Sequence, residues 1–152
     1  MTTANTPAED AAPATTPPGW DAFTAPDLAL FEQLAHDAVI SLPQPWRDIA
    51  TKVALRIVDF PPDDMLEAMD LNDPYELTGL YEGTPMTEKS VMDQPDHPDI
   101  VWLFRRPILE EWIDRGDVGL GDLITHVVIH EFAHHFGWSD EDIAAIDPWW
   151  ET

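Results

Sequence analysis

The sequence predicts a fold of mixed α and β elements gathered around one buried helix. Three observations point there. Leu123, Ile124, Val127, Val128, Ile129, Phe132, Ala133 and Phe136 wrap all sides of a helix-period stretch, and a helix that is apolar all round is a buried one. Val53 to Asp59 and Ile100 to Phe104 are short β-branched and aromatic runs bounded by turn-forming residues. Hydrophobic residues make up 44% of 152 residues, with seven Trp and six Phe, which suffices for the core of one domain.

The elements follow in order. Residues 1–24 are dominated by Thr, Ala and Pro and have no core-forming pattern, so they are expected to be a disordered tail, with 25–152 forming the domain. Asp27 is placed to cap a helix carrying Leu28, Phe31, Leu34, Ala35, Ala38 and Val39 at helical spacing, and Pro43 stops it. A short helix can run from Pro45 to Ala50, followed by the Val53–Asp59 strand. Asp63 to Leu71 suggests a short acidic helix, and Leu77 to Glu82 a strand turning at Gly83 to Pro85. Asp93 to Asp99 reads as loop. Ile100–Phe104 is the clearest strand, and the next helix begins near Pro107 and ends near Gly116. Asp117 or Asp122 can cap the buried helix, which Gly137 ends, and Ser139 opens a last short helix toward Ile146.

Charge and composition exclude several functions. Seven basic residues against 30 acidic ones give a formal net charge of −23, which disfavours nucleic acid and anionic membrane surfaces as partners. No run approaches the ~20 apolar residues of a membrane span, and nothing resembles a secretory signal, so a cytoplasmic, monomeric protein is expected. Cysteine is absent, so any metal must be held by His, Asp or Glu.

Such a set exists inside the most apolar helix, as His130-Glu131-Phe132-Ala133-His134. The i, i+4 spacing stacks both imidazoles on one face, where two nitrogens can meet one zinc ion. Glu131 lies ~100° around the helix, so its carboxylate reaches the rim of that site and can take a proton from a metal-activated water. Gly137 lets the chain turn back, which brings Asp140, or next to it Glu141, toward the ion as a third ligand.

The stretch His-Glu-Phe-Ala-His-His-Phe-Gly-Trp-Ser-Asp, residues 130–140, resembles the small zincin-like metallopeptidases, whose extended motif is His-Glu-x-x-His-x-x-Gly-x-x-Asp. The likeness extends over Gly79 to Pro85, Ile100 to Ile108 and the opening helix. It implies a compact α+β zincin core with a small mixed sheet. It also implies one Zn2+ per chain on His130, His134 and Asp140, Glu131 as catalytic base, and a peptide or protein substrate. The alternative is a non-catalytic zinc-binding module that recognises peptides, in which His126 could supply a fourth ligand.

Four other residues are weighed on their own chemistry. Tyr81 can donate to a developing oxyanion or serve as packing. Arg105 can bind a substrate carboxylate or pair with the surrounding acids. His126, one turn before His130, can line the cleft, and His135 points ~140° away from His130 as a partly buried helix histidine. Ile100–Phe104 could hold an extended substrate if it is a sheet edge. Trp149 and Trp150 are expected to pack onto the core.

Overall fold

The structure is a computed structural model and describes residues 24–86 and 99–146. Residues 1–23 of the expected tail, the expected loop as far as Pro98, and Trp149 and Trp150 lie outside those residues. In chain order the described elements are α1 (Leu28–Ile40), α2 (Trp46–Ala50), β1 (Ala54–Val58), α3 (Asp63–Ala68), a 3-10 turn (Pro74–Glu76), β2 (Gly79–Glu82), β3 (Ile100–Phe104), α4 (Arg105–Arg115), α5 (Leu120–Phe136) and α6 (Asp140–Ile146).

Local chemistry accounts for the ends of these elements, with two departures from expectation. Asp27 caps α1 by accepting from the Leu30 amide at 2.9 Å. Helix α4 begins at Arg105, directly after β3, which places Pro107 at its third position. There the amide that proline lacks would have had no partner in the helix. Neither Asp117 nor Asp122 caps α5. Gly119 precedes it without a side-chain bond, and Asp122 sits in the first turn, where its charge complements the positive end of the helix.

The sheet is mixed and three-stranded, in the order β1-β3-β2. Strand β1 runs parallel to β3, with Arg56 opposite Trp102, and β2 runs antiparallel to it, with Leu80 opposite the same Trp102. Strand β3 is therefore central and is hydrogen-bonded on both sides, so it cannot receive a substrate strand. Its side chains alternate between two cores. Val101 and Leu103 face α1 and α5, while Phe104 joins Met65, Leu66 and Leu77, with Trp102 packed beside them.

The main core explains why α5 is helical at all. Its run Ile124-Thr125-His126-Val127-Val128-Ile129 has poor intrinsic helix propensity, costing up to about 0.7 kcal/mol per residue. Leu123, Ile124, Val128 and Phe132 are nearly inaccessible and pack with Phe31 and Ala35 of α1. At about 1.5–3 kcal/mol per large side chain fully buried, packing outweighs propensity.

The end of α5 is closed by two paired bonds. The Trp138 amide donates to the Ala133 carbonyl at 3.0 Å and the Gly137 amide to that of His134 at 3.2 Å, with Gly137 at φ +76°. Trp138 then packs its ring 5.0 Å from both Phe136 and Trp46. Beyond the turn, Ser139 and Asp142 bond reciprocally to each other's backbone amides, so α6 starts at Asp140. Replacing Gly137 by Ala should cost about 1–2 kcal/mol, because it forces a Cβ into the left-handed region. Urea unfolding of the purified variant measures this, and an unchanged midpoint would contradict the assigned turn.

Candidate active site

Helix α5 packs against the sheet at β3 and at edge strand β2. Their close approach depends on Gly79. A Cβ there would lie 3.0 Å from Cγ of Glu131, 3.0 Å from Cγ1 of Val127 and 3.1 Å from the Trp102 carbonyl oxygen. Glycine lets the helix come that near without displacing those neighbours.

The helix divides its polar groups between two directions. His126, His130 and His134 face a cleft of about 620 Å³, whose other walls include Gly79–Tyr81 of β2, Glu76, Leu77 and Arg115. The His130 and His134 rings meet edge to face with centroids 5.0 Å apart, and His126 stands 6.1 Å from His130. Glu131 and His135, one turn apart, turn toward β2 instead. Glu131 also reaches the cleft wall, so it touches both strand and cleft.

Glu131 is a strongly perturbed acid. Burial pushes its carboxyl up to about 7, and a hydrogen bond from the Tyr81 backbone amide opposes that rise only in part. The strand pattern explains the bond. The Phe104 amide donates to the Thr78 carbonyl at 3.0 Å, so the backbones of Leu80 and Glu82 face β3. Those of Gly79 and Tyr81 then point outward from the edge, where Glu131 meets Tyr81.

The donor set fits a divalent metal. One ligand atom from each of His130, Glu131 and His134 lies within 4.8 Å of the other two. Two nitrogens sharing a tetrahedral zinc stand roughly 3.4 Å apart, well inside that limit, and the wider allowance leaves Glu131 room beside the ion. Imidazole nitrogens and carboxylate oxygens suit zinc and its divalent neighbours. A cation here would also relieve the cost of ionising the buried Glu131. The side chain of Asp140, expected as the third ligand, lies outside the described residues. Glu141, its neighbour, is exposed in the first turn of α6.

Two other expectations resolve differently. Arg105 stands away from the cleft: its Nε donates to Asp59 Oδ1 at 2.7 Å and its Nη1 to the Pro26 carbonyl at 2.7 Å. That pairing holds the Asp59 carboxyl below its ordinary range and ties the start of α4 to the end of β1. Arg105 is thus engaged in fold contacts, and the base that lines the cleft is Arg115, paired with Glu111 at 3.0 Å. The Tyr81 hydroxyl is engaged too, donating to Asp99 Oδ1 at 3.0 Å and lying 3.1 Å from Nδ1 of His135. His135 is buried, 4% exposed, and its centroid is 5.4 Å from the Tyr81 ring. Its link to Tyr81 was missed in the sequence, although the Glu131–His135 spacing of four already places both on one helix face.

Residues 50–150, two thirds of the chain, match the family described as zincin-like metallopeptidase. A search of curated proteins gave no match.

The raised carboxyl has a consequence for stability. Glu131 titrates near 7 when folded and near 4.5 when unfolded, so below pH 4.5 it is neutral in both states. As pH rises through 7 the buried carboxyl must ionise, and stability present at low pH is lost. In the presence of a chelator, Glu131→Gln should therefore gain about 2–3 kcal/mol on wild type between pH 5 and pH 8. Urea unfolding at both values tests this, and a constant difference would contradict it.

Proposed function

The chain belongs to the zincin-like metallopeptidases, and on that premise we propose that it is a zinc-dependent peptidase with Glu131 as its general base. The observation that carries the reading is the convergence of His130, Glu131 and His134 at the wall of an open cleft. In it, His130 and His134 hold the metal and Asp140 completes the protein ligands. The turn at Gly137 supports Asp140, because it reverses the chain three residues after His134 and starts α6 at that residue.

A zinc ion held there would supply Lewis acidity toward water and toward a scissile carbonyl. The chain's own residues do the remainder. Glu131 would accept a proton from the attacking water and return it to the departing amine, and its carboxyl at the cleft wall is placed for both transfers. Edge strand β2 orients the substrate. Gly79 presents its backbone outward beside the cleft, which suits an extended peptide added as a further strand. This role falls to β2 because β3 is central. A cleft of about 620 Å³ matches a few peptide residues.

Asp140→Ala should weaken zinc binding by at least about tenfold, and Glu141→Ala by far less, as a lost ligand costs more than a lost neighbour. Competition with a chelating dye measures both, and the reverse order would move the third ligand to Glu141. Glu131→Gln should keep zinc bound and lower turnover of a cleaved library peptide by about 10²–10⁴-fold. Unchanged turnover in that variant would sink the assignment of the base. If no peptide is cut and the variant keeps full affinity for a bound one, the protein is a recognition module.

A further inference from the structure

His135 is the buried polar residue of the described core, and its ring stands where helix α5 meets β2 and the start of β3. Its Nδ1 is 3.1 Å from the Tyr81 hydroxyl and 3.7 Å from Oδ2 of Asp99. The hydroxyl donates to Asp99 Oδ1 at 3.0 Å, and an ionised carboxylate can only accept. With its proton given to Asp99, the hydroxyl oxygen can accept from His135 when that ring carries its proton on Nδ1. Asp99 Oδ1 also takes the Thr84 amide at 3.3 Å, while the Asp99 carbonyl accepts from the Ala54 amide at 3.2 Å. Gly83 makes room for this cluster: a Cβ there would clash with the Asp99 carboxylate and lie 2.8 Å from the Tyr81 hydroxyl. The cluster thus joins α5, β2, the turn after β2 and the starts of β1 and β3.

Tyr81 is the pivot of this arrangement. Its side chain is held by Asp99 and His135, and its backbone amide is bonded to Glu131, which precedes His135 by one helical turn. We propose that Asp99, Tyr81 and His135 form a positioning network that fixes the Glu131 carboxylate beside the metal ligands. The proposal rests on the peptidase reading of the site. The side-chain bonds among its three members set the distance between β2 and α5, and through the Tyr81 amide they set where the Glu131 oxygens lie. A base misplaced by a fraction of an ångström loses rate while the binding groups are untouched.

The test uses the full chain with Tyr81→Phe, which removes the hydroxyl and keeps the ring, and separately Asp99→Asn, which keeps size. The first readout is the side-chain carboxyl carbon resonance of Glu131 at fixed pH, identified by its loss in Glu131→Gln and recorded with and without zinc. The network predicts that this resonance moves in both variants while zinc affinity stays within about threefold. With a cleaved peptide, kcat should fall about tenfold with KM nearly unchanged, the scale of lost outer-shell support. An unmoved resonance overturns the proposal, as does a loss of zinc affinity equal to the loss of kcat, which would mean general loosening. Should Tyr81→Phe fail to fold, Asp99→Asn decides. If the zinc-loaded wild type cuts no peptide, the peptidase reading fails, while the resonance still reports on the network independently.

Discussion

The contact between α5 and β2 at Gly79 is the constraint on which the rest of the site depends. A Cβ on the strand here would press on the Glu131 and Val127 side chains of the helix at 3.0 Å and push the two elements apart by a few tenths of an ångström. That approach brings Glu131 to the Tyr81 amide and His135 to the Tyr81 hydroxyl. Because 3.6 residues make a turn, the same rotation of the helix directs His130 and His134 into the cleft. One packing contact therefore sets both the acid–base group and the metal-binding pair.

Energetically the helix is held by burial and spends part of that stability on its polar groups. The apolar contacts of Leu123, Ile124, Val128 and Phe132 with α1 and β3 anchor it. Against them stand a largely desolvated carboxyl with a raised pKa and a buried histidine. Each is tolerable because it has partners: the histidine has Tyr81 and Asp99, and the carboxyl has one amide and the place where a cation fits. Among the described residues no buried side-chain nitrogen or oxygen lacks a hydrogen bond. A site of this kind is assembled from groups that would each be costly if isolated, which makes the partners as informative as the ligands.

The parts legible in the sequence were those governed by local periodicity. The all-round apolar pattern of α5, the cap at Asp27, the stop at Gly137 and the spacing of His130 and His134 are each written within a few residues. What was not legible depends on contacts distant in the chain. The central position of β3 follows from pairing with both β1 and β2, which no local pattern encodes. Arg105 was readable as a substrate group or as a partner of the surrounding acids, and the acid that holds it, Asp59, lies 46 residues earlier. Tyr81 was readable as catalytic or packing, and its link to His135 spans 54 residues. The start of α5 misled for a different reason: two aspartates had the right chemistry for a cap, and the backbone chose Gly119 between them.

The central claim is that one face of α5 presents two imidazoles to a single metal ion. X-ray absorption at the zinc edge of the loaded protein tests it most directly, since imidazole rings give a characteristic multiple-scattering pattern. The account predicts two imidazoles with the remaining donors oxygen, and loss of the imidazole signal when His130 and His134 are both replaced by Ala. A spectrum with no imidazole, or one unchanged in the double variant, would contradict it.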